Sequence, residues 1–363
     1  MSLDVAIEKS KMSRATAGYG LVLHILDDHW YGRNKGMFLS TKDKALAVNK
    51  RLEQLMPLLT PLGIVLGFFL PFVFIHLRPL VPWLFGLLTL AGALRLRIAE
   101  FGNTISKPLP VLAFFLSSHV IMPLCALFAS SLFFGDDPDT VAGYILLFAG
   151  PTAVSGFIWV SIFRGDRALS LTLILLATLL SPLVVPGTVS ILIGAKVSMN
   201  MGSIAVSLVL MVVIPTIIGV TLNEVSRGQV PALICPYLDL VSKACIVLVI
   251  AANTSPVASR VRFNDSKIWK LAALCVLLSA GGFLISKFVA IAIRCSPAKS
   301  ASLVFSGGMR NISAVTTIAI GFFPEAAALP ALLGILFQQS ISALMGKLLI
   351  RPLGPCTEIK KDH

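Results

Sequence analysis

A lone arginine lies where a membrane-spanning chain can least easily hold one. The segment Leu303-Val304-Phe305-Ser306-Gly307-Gly308-Met309-Arg310-Asn311-Ile312-Ser313-Ala314 falls inside a long apolar run that holds no Asp or Glu. A charge near the centre of a bilayer helix costs about 2.5–3.5 kcal/mol on insertion scales, so a chain that keeps one usually uses it. Gly307 and Gly308 permit non-helical dihedrals beside the charge. A second interruption, Ala149-Gly150-Pro151-Thr152-Ala153-Val154-Ser155-Gly156, lies upstream. There Pro151 removes a backbone donor and clashes with the preceding turn. A helix broken at mid-membrane leaves unpaired N–H groups at one end and carbonyls at the other, each end carrying about half a unit charge. N-terminal ends favour an anion and carbonyl ends a cation, and neither tolerates lipid. The chemistry this suits is the binding and passage of a small solute.

Bond-making chemistry has little support. No HExxH, no Ser-His-Asp set and no phosphate loop is visible, so an enzyme is not expected. The cysteines Cys125, Cys235, Cys245, Cys275, Cys295 and Cys356 form no CxxC pair and have no His at metal spacing, so no metal site is expected. No span interior holds an Asp or Glu, which leaves His119 as the side chain there suited to proton coupling. A hydrogen-bonded core histidine is the other reading of that residue.

The composition places these residues in a bilayer. Hydrophobic residues make up 56% of the 363 and charged residues 13%, with mean hydropathy +0.89. A soluble chain would carry about 25% charge. The formal charge of +13 is scattered through loops, which excludes a basic nucleic-acid face. Cytoplasmic Lys and Arg of a membrane protein give the same total.

Residues 1–54 are polar, and 1–36 read as an extension. The apolar stretch Ala17 to Leu26 is followed by Asp27-Asp28 and no small-residue cleavage site, so no signal peptide is expected. Residues 45–55 suit a short interfacial helix. Ten spans follow, at 56–75, 79–95, 108–134, 140–163, 168–193, 203–222, 239–256, 267–293, 299–322 and 326–350. Arg95, Arg97, Lys107, Arg164, Arg167, Arg227, Arg294, Lys299 and Lys347 collect on one side with both termini. The other side holds Arg78, Lys196, Arg260, Arg262 and Lys267 with the acidic Asp136-Asp137-Pro138-Asp139. This asymmetry puts both termini in the cytoplasm of a multi-pass cell-membrane protein. The spans divide into halves 55–194 and 203–350, joined by 195–202 and followed by a tail, 351–363. Five spans per half make the halves inverted, and the fourth span of each carries the interruption. Paired broken helices in inverted halves point to a transporter site.

At these strings the chain resembles the bile acid:sodium symporter family, over about residues 55 to 350. Pro151-Thr152-Ala153-Val154-Ser155-Gly156-Phe157 stands where the family has a Pro-Gly-Gly-Thr-Ala-Ser-Asn-like motif. Arg164-Gly165-Asp166-Arg167-Ala168-Leu169-Ser170 matches its Lys/Arg-Gly-x-x-Ala-Leu-Ser turn. Leu180-Ser181-Pro182-Leu183-Val184-Val185-Pro186 matches its fifth span, and Val120-Ile121-Met122-Pro123 its third. Ser306-Gly307-Gly308-Met309-Arg310-Asn311 stands against Glu-x-Gly-Met-Gln-Asn. The resemblance implies an all-helical transporter of 5+5 inverted repeats with crossed fourth and ninth spans, moving a small organic anion by alternating access. It puts the family's sodium ligands at Ser118, Gly156, Phe157, Ser170, Ile174, Ser306 and Arg310, and Met309 in the same motif. Of those ligand positions Ser170 alone keeps the expected type. The family's glutamate with two sodium ions is net plus one, and Ser306 with Arg310 reaches that charge with no ion. Arg310 is therefore expected to stand in for bound sodium, making transport sodium-independent, or to grip a carboxylate in two places. No cofactor is implied. Asn311 would contact substrate, with Thr152 and Ser155 at the other break and Gln338 and Gln339 lining the cavity. Asn253, Thr254 and Ser255 are further lining candidates. A non-transporting ligand sensor and a proton-coupled carrier using His119 are the alternatives.

Overall fold

The computed structural model describes residues 41–54, 56–96, 108–194, 200–258 and 264–350. The readings of residues 1–36, the tail 351–363 and the loop charges Arg97, Lys107, Lys196, Arg260 and Arg262 lie outside them. Among the described residues every regular element is a helix.

Thirteen helical elements are named here in chain order. They are α1 (Thr41–Gln54), α2 (Met56–Phe69), α3 (Pro71–Ala93), α4 (Leu109–Phe134), α5 (Pro138–Ala149), α6 (Gly156–Ile162) and α7 (Arg167–Ile193). Then follow α8 (Met201–Val225), α9 (Gln229–Thr254), α10 (Ser266–Ala292), α11 (Pro297–Gly308), α12 (Ile312–Phe322) and α13 (Glu325–Leu349). Seven of these, α3, α4, α7, α8, α9, α10 and α13, are long and apolar enough to cross a membrane. The chain is a membrane protein.

The remaining apolar runs show where the sequence count of ten differs from seven. The first run splits at Leu70, where Pro71 starts a new helix. The fourth and ninth are each two short helices, α5 with α6 and α11 with α12, parted at 150–155 and 309–311. A second difference concerns charge. The seventh span was expected to begin at Asp239, but α9 begins at Gln229 and carries Asp239 and Lys243 inside it. Arg95 pairs with Asp239, and Lys243 Nζ donates to Asn49 Oδ1 at 2.6 Å, so both charges are held. Glu224 likewise lies within α8. Span interiors free of acids are therefore true of the break region and not of every helix.

Polar caps set the helix starts. The side chains of Asp137, Asp166, Asn200, Asp265 and Asn311 each accept a backbone N–H of the turn they precede, at α5, α7, α8, α10 and α12. Three helices end on left-handed arginines, Arg164 (φ 53°), Arg227 (φ 50°) and Arg294 (φ 53°). The next residue of each donates back five positions, to Val160, Asn223 and Ala290. That closure satisfies orphan carbonyls where glycine is the usual choice.

The helices of residues 45–350 pack as one compact unit. α2 lies along α9, and α3 packs on both α8 and α9. α4 packs on α5, α7 on α8, and α10 on both α11 and α13. The main core runs through α5 and α12, with Tyr144, Leu146, Val315 and Ile318 fully enclosed. Large apolar side chains such as Trp83, Phe128, Leu183 and Ile191 point outward, as a lipid-facing surface requires.

Candidate functional site

The two breaks meet. Thr152 and Arg310 form an antiparallel bridge, with Asn311 N donating to Pro151 O at 2.8 Å and Ala153 N to Met309 O at 3.3 Å. The extended backbone that Pro151 and the glycines impose is thus satisfied by the other break. Thr152 completes the pairing. Its hydroxyl lies 2.5 Å from Ser306 O and 3.0 Å from Met309 O, so it serves the carbonyl end of α11. The close approach explains the glycines. A Cβ on Gly307 would lie 2.1 Å from Ser286 Oγ, and one on Gly308 would lie 2.4 Å from the Phe283 ring.

The residues around the bridge differ in access. Ser155, Asn311 and Gln338 are half-buried and Gln339 is exposed. Asn311 Oδ1 caps α12 by accepting Ala314 N at 3.3 Å. Gln338 Oε1 accepts Arg310 N at 2.9 Å, and Gln339 Oε1 accepts Trp159 Nε1 at 3.0 Å. Amides from α13 therefore hold the second break and the short helix α6 that follows the first. Asn253 joins α9 to α12 by donating to Thr317 Oγ1 at 3.0 Å. A separate cavity of 440 Å³ is lined by Arg78, Ser255 and Glu325 among others.

Arg310 itself is 2% exposed. Its Nη2 donates to Ser118 O at 2.9 Å. That carbonyl is free for a reason written in α4. Residues Leu116–Ile121 form a π turn, in which Met122 N donates to Ser117 O rather than Ser118 O. The next residue, Pro123, has no N–H to offer. The widened turn and the proline leave Ser118 O without a helical donor, and the guanidinium takes it. His119 lies beside Arg310 and the Ala149 carbonyl, stacked on Phe115 with ring centroids 5.3 Å apart.

The degenerate ion positions are partly gathered. Ser170 Oγ and Ser306 Oγ lie 3.5 Å apart, and Gly156 abuts Met309. Ile174 is buried, with an apolar side chain in place of an oxygen. Phe157 packs instead with Ala93, Leu171 and Leu175. Sequence reasoning missed the role of Pro123. Its signal was a proline five residues after Ser118, which removes the donor a π turn would use.

Two broken helices joined at a bridge, inside a bundle of apolar spans, agree with the sequence comparisons. Residues 81–261 match the model of the Sodium Bile acid symporter family. The Bacillus subtilis protein YbaS is 36% identical over 296 residues, 82% of this chain and 97% of YbaS. The chain belongs to the sodium bile acid symporter family. The sodium-dependent transporter YocS of Bacillus subtilis, itself described as uncharacterized, is 25% identical over 268 residues, covering 74% of this chain and 82% of YocS. The "Probable sodium/metabolite cotransporter BASS3, chloroplastic" of Oryza sativa subsp. japonica is 27% identical over 208 residues, 57% of this chain and 47% of that one. As a member of this family the chain is a membrane transporter.

Proposed function

We propose that this family member carries a small organic anion by alternating access, without sodium, with Arg310 as a fixed cation in the ion region. The observation that carries the reading is the guanidinium of Arg310 on the Ser118 carbonyl, both buried. Ser118, Ser306 and Arg310 are positions where the family resemblance expects sodium ligands. A permanent positive charge there leaves a sodium ion repelled and short of hard oxygen ligands. An anion at the crossing is drawn by the same charge.

The architecture we propose is ten spans in two inverted sets of five. α2 to α7 would form the first, with α5 and α6 as its broken fourth span. α8 to α13 would form the second, with α11 and α12 as its broken fourth. Both termini would lie in the cytoplasm, the side given to Arg164, Arg227 and Arg294. Asn311, Ser155, Gln338 and Gln339 are the more accessible polar groups at the crossing and would contact substrate, with Thr152 holding the crossing together. Rocking of the group containing α2, α3, α8 and α9 against the rest would expose the crossing to each side in turn.

Counterflow in proteoliposomes tests this. A panel of unlabelled carboxylates is loaded inside and labelled acid is supplied outside. Exchange by wild type and its loss in Arg310→Gln support transport at this site. Saturable binding with no exchange for any acid that binds would make the protein a ligand sensor instead.

A further inference from the structure

Arg310 has more hydrogen-bonding capacity than the protein uses. Its Nη2 is satisfied by Ser118 O, but Nε and Nη1 have no partner. The Ser118 hydroxyl, fully buried, has none either. These three atoms come from the second break and from the π turn of α4, which the Arg310–Ser118 contact holds together. No carboxylate pairs with the guanidinium among the described residues.

The inventory selects the ligand. The two free guanidinium nitrogens offer three N–H donors and the hydroxyl one more. The groups lacking partners are thus richer in donors than in acceptors, around a full positive charge. Water could accept some of these bonds and would leave the charge unbalanced, and buried charges are paired as a rule. A negatively charged acceptor answers both needs. Each of these atoms is enclosed by protein, so the surroundings suit a small, weakly hydrated ion rather than a chain of several carbons.

We infer that Arg310 Nε and Nη1 and the Ser118 hydroxyl form a binding site for a small monovalent inorganic anion of the chloride class. The site is distinct from the accessible amides at the bridge where the organic anion would bind. It builds on the charge assigned to Arg310 above but not on transport. One guanidinium serves both anions, so chloride opposes the binding of an organic anion through the shared charge.

Equilibrium binding of radioactive chloride to the purified full chain in detergent is the test, with gluconate as the replacing salt. Wild type is expected to bind chloride saturably and to release it to bromide. Arg310→Gln is expected to lose that binding, and Lys267→Gln, remote from the site, to keep it. Ser118→Ala removes a hydroxyl whose oxygen makes no bond in the protein and leaves the carbonyl that holds Arg310. It should weaken chloride about tenfold, the effect of one hydrogen bond to a charged group. This variant decides the matter should Arg310→Gln not fold. Absence of saturable binding in wild type overturns the inference, as does chloride affinity unchanged in Ser118→Ala. Either result leaves the counterflow outcome standing, because chloride binding is read without transport.

Discussion

At the residue scale, Arg310 stands out in the sequence because the cost of its charge is a property of the sequence. A charge in an apolar run with no acid beside it needs a reason wherever the helices lie. Its partner was not legible. Ser118 O becomes available through the π register of α4 and through Pro123, and a change of helical register leaves no mark in composition. Thr152 was placed at the right break, but its two carbonyl partners on α11 depend on the bridge. Replacing it with the isosteric Val leaves buried carbonyls without that donor. Thr152→Val is expected to lower stability by about 1–3 kcal/mol, read as a fall in melting temperature of the detergent-solubilised protein. An unchanged melting temperature would mean that the hydroxyl does not hold the crossing.

At the scale of elements, breaks and caps were the readable features. Pro151 and the Gly307-Gly308 pair marked the interruptions, and α5, α6, α11 and α12 end or begin beside them. Gly308 lies so close to Phe283 that an added methyl must displace the ring. Gly308→Ala should cost about 1–3 kcal/mol through overpacking, and Phe283→Leu in the same chain should recover part of it. The start of α9 was misplaced by ten residues because a charge was taken as a span end. Arg95 lies far away in sequence, so the pair that lets Asp239 sit within the helix could not be seen.

A surface cap gives a pH test. Burial pushes the Asp137 carboxyl upward, but hydrogen bonds from Lys267 and Thr140 outweigh it and hold the carboxyl below its usual range. A depressed folded pKa gives stability that is present above the unfolded value and lost as pH falls through the folded one. Asp137→Asn keeps a competent cap and removes the charge. At neutral pH it should melt below wild type, and the two curves should converge in acid. Curves that stay parallel down to the lowest accessible pH would separate the Lys267 pair from stability.

For the whole molecule, the membrane class and helical character followed from composition, since no soluble core accounts for so little charge. The pairing of helices within the bundle did not, because periodicity is lost where every face of a helix is apolar. The bridge brings the two breaks to one place. The central claim is that a fixed charge has replaced a carried cation. Uptake of a panel of organic acids into proteoliposomes measures it, with sodium gluconate exchanged for potassium gluconate at constant chloride. Wild type should take up its acid at the same rate in both salts, and Arg310→Gln should lose that uptake. Wild-type uptake that requires sodium would contradict the account.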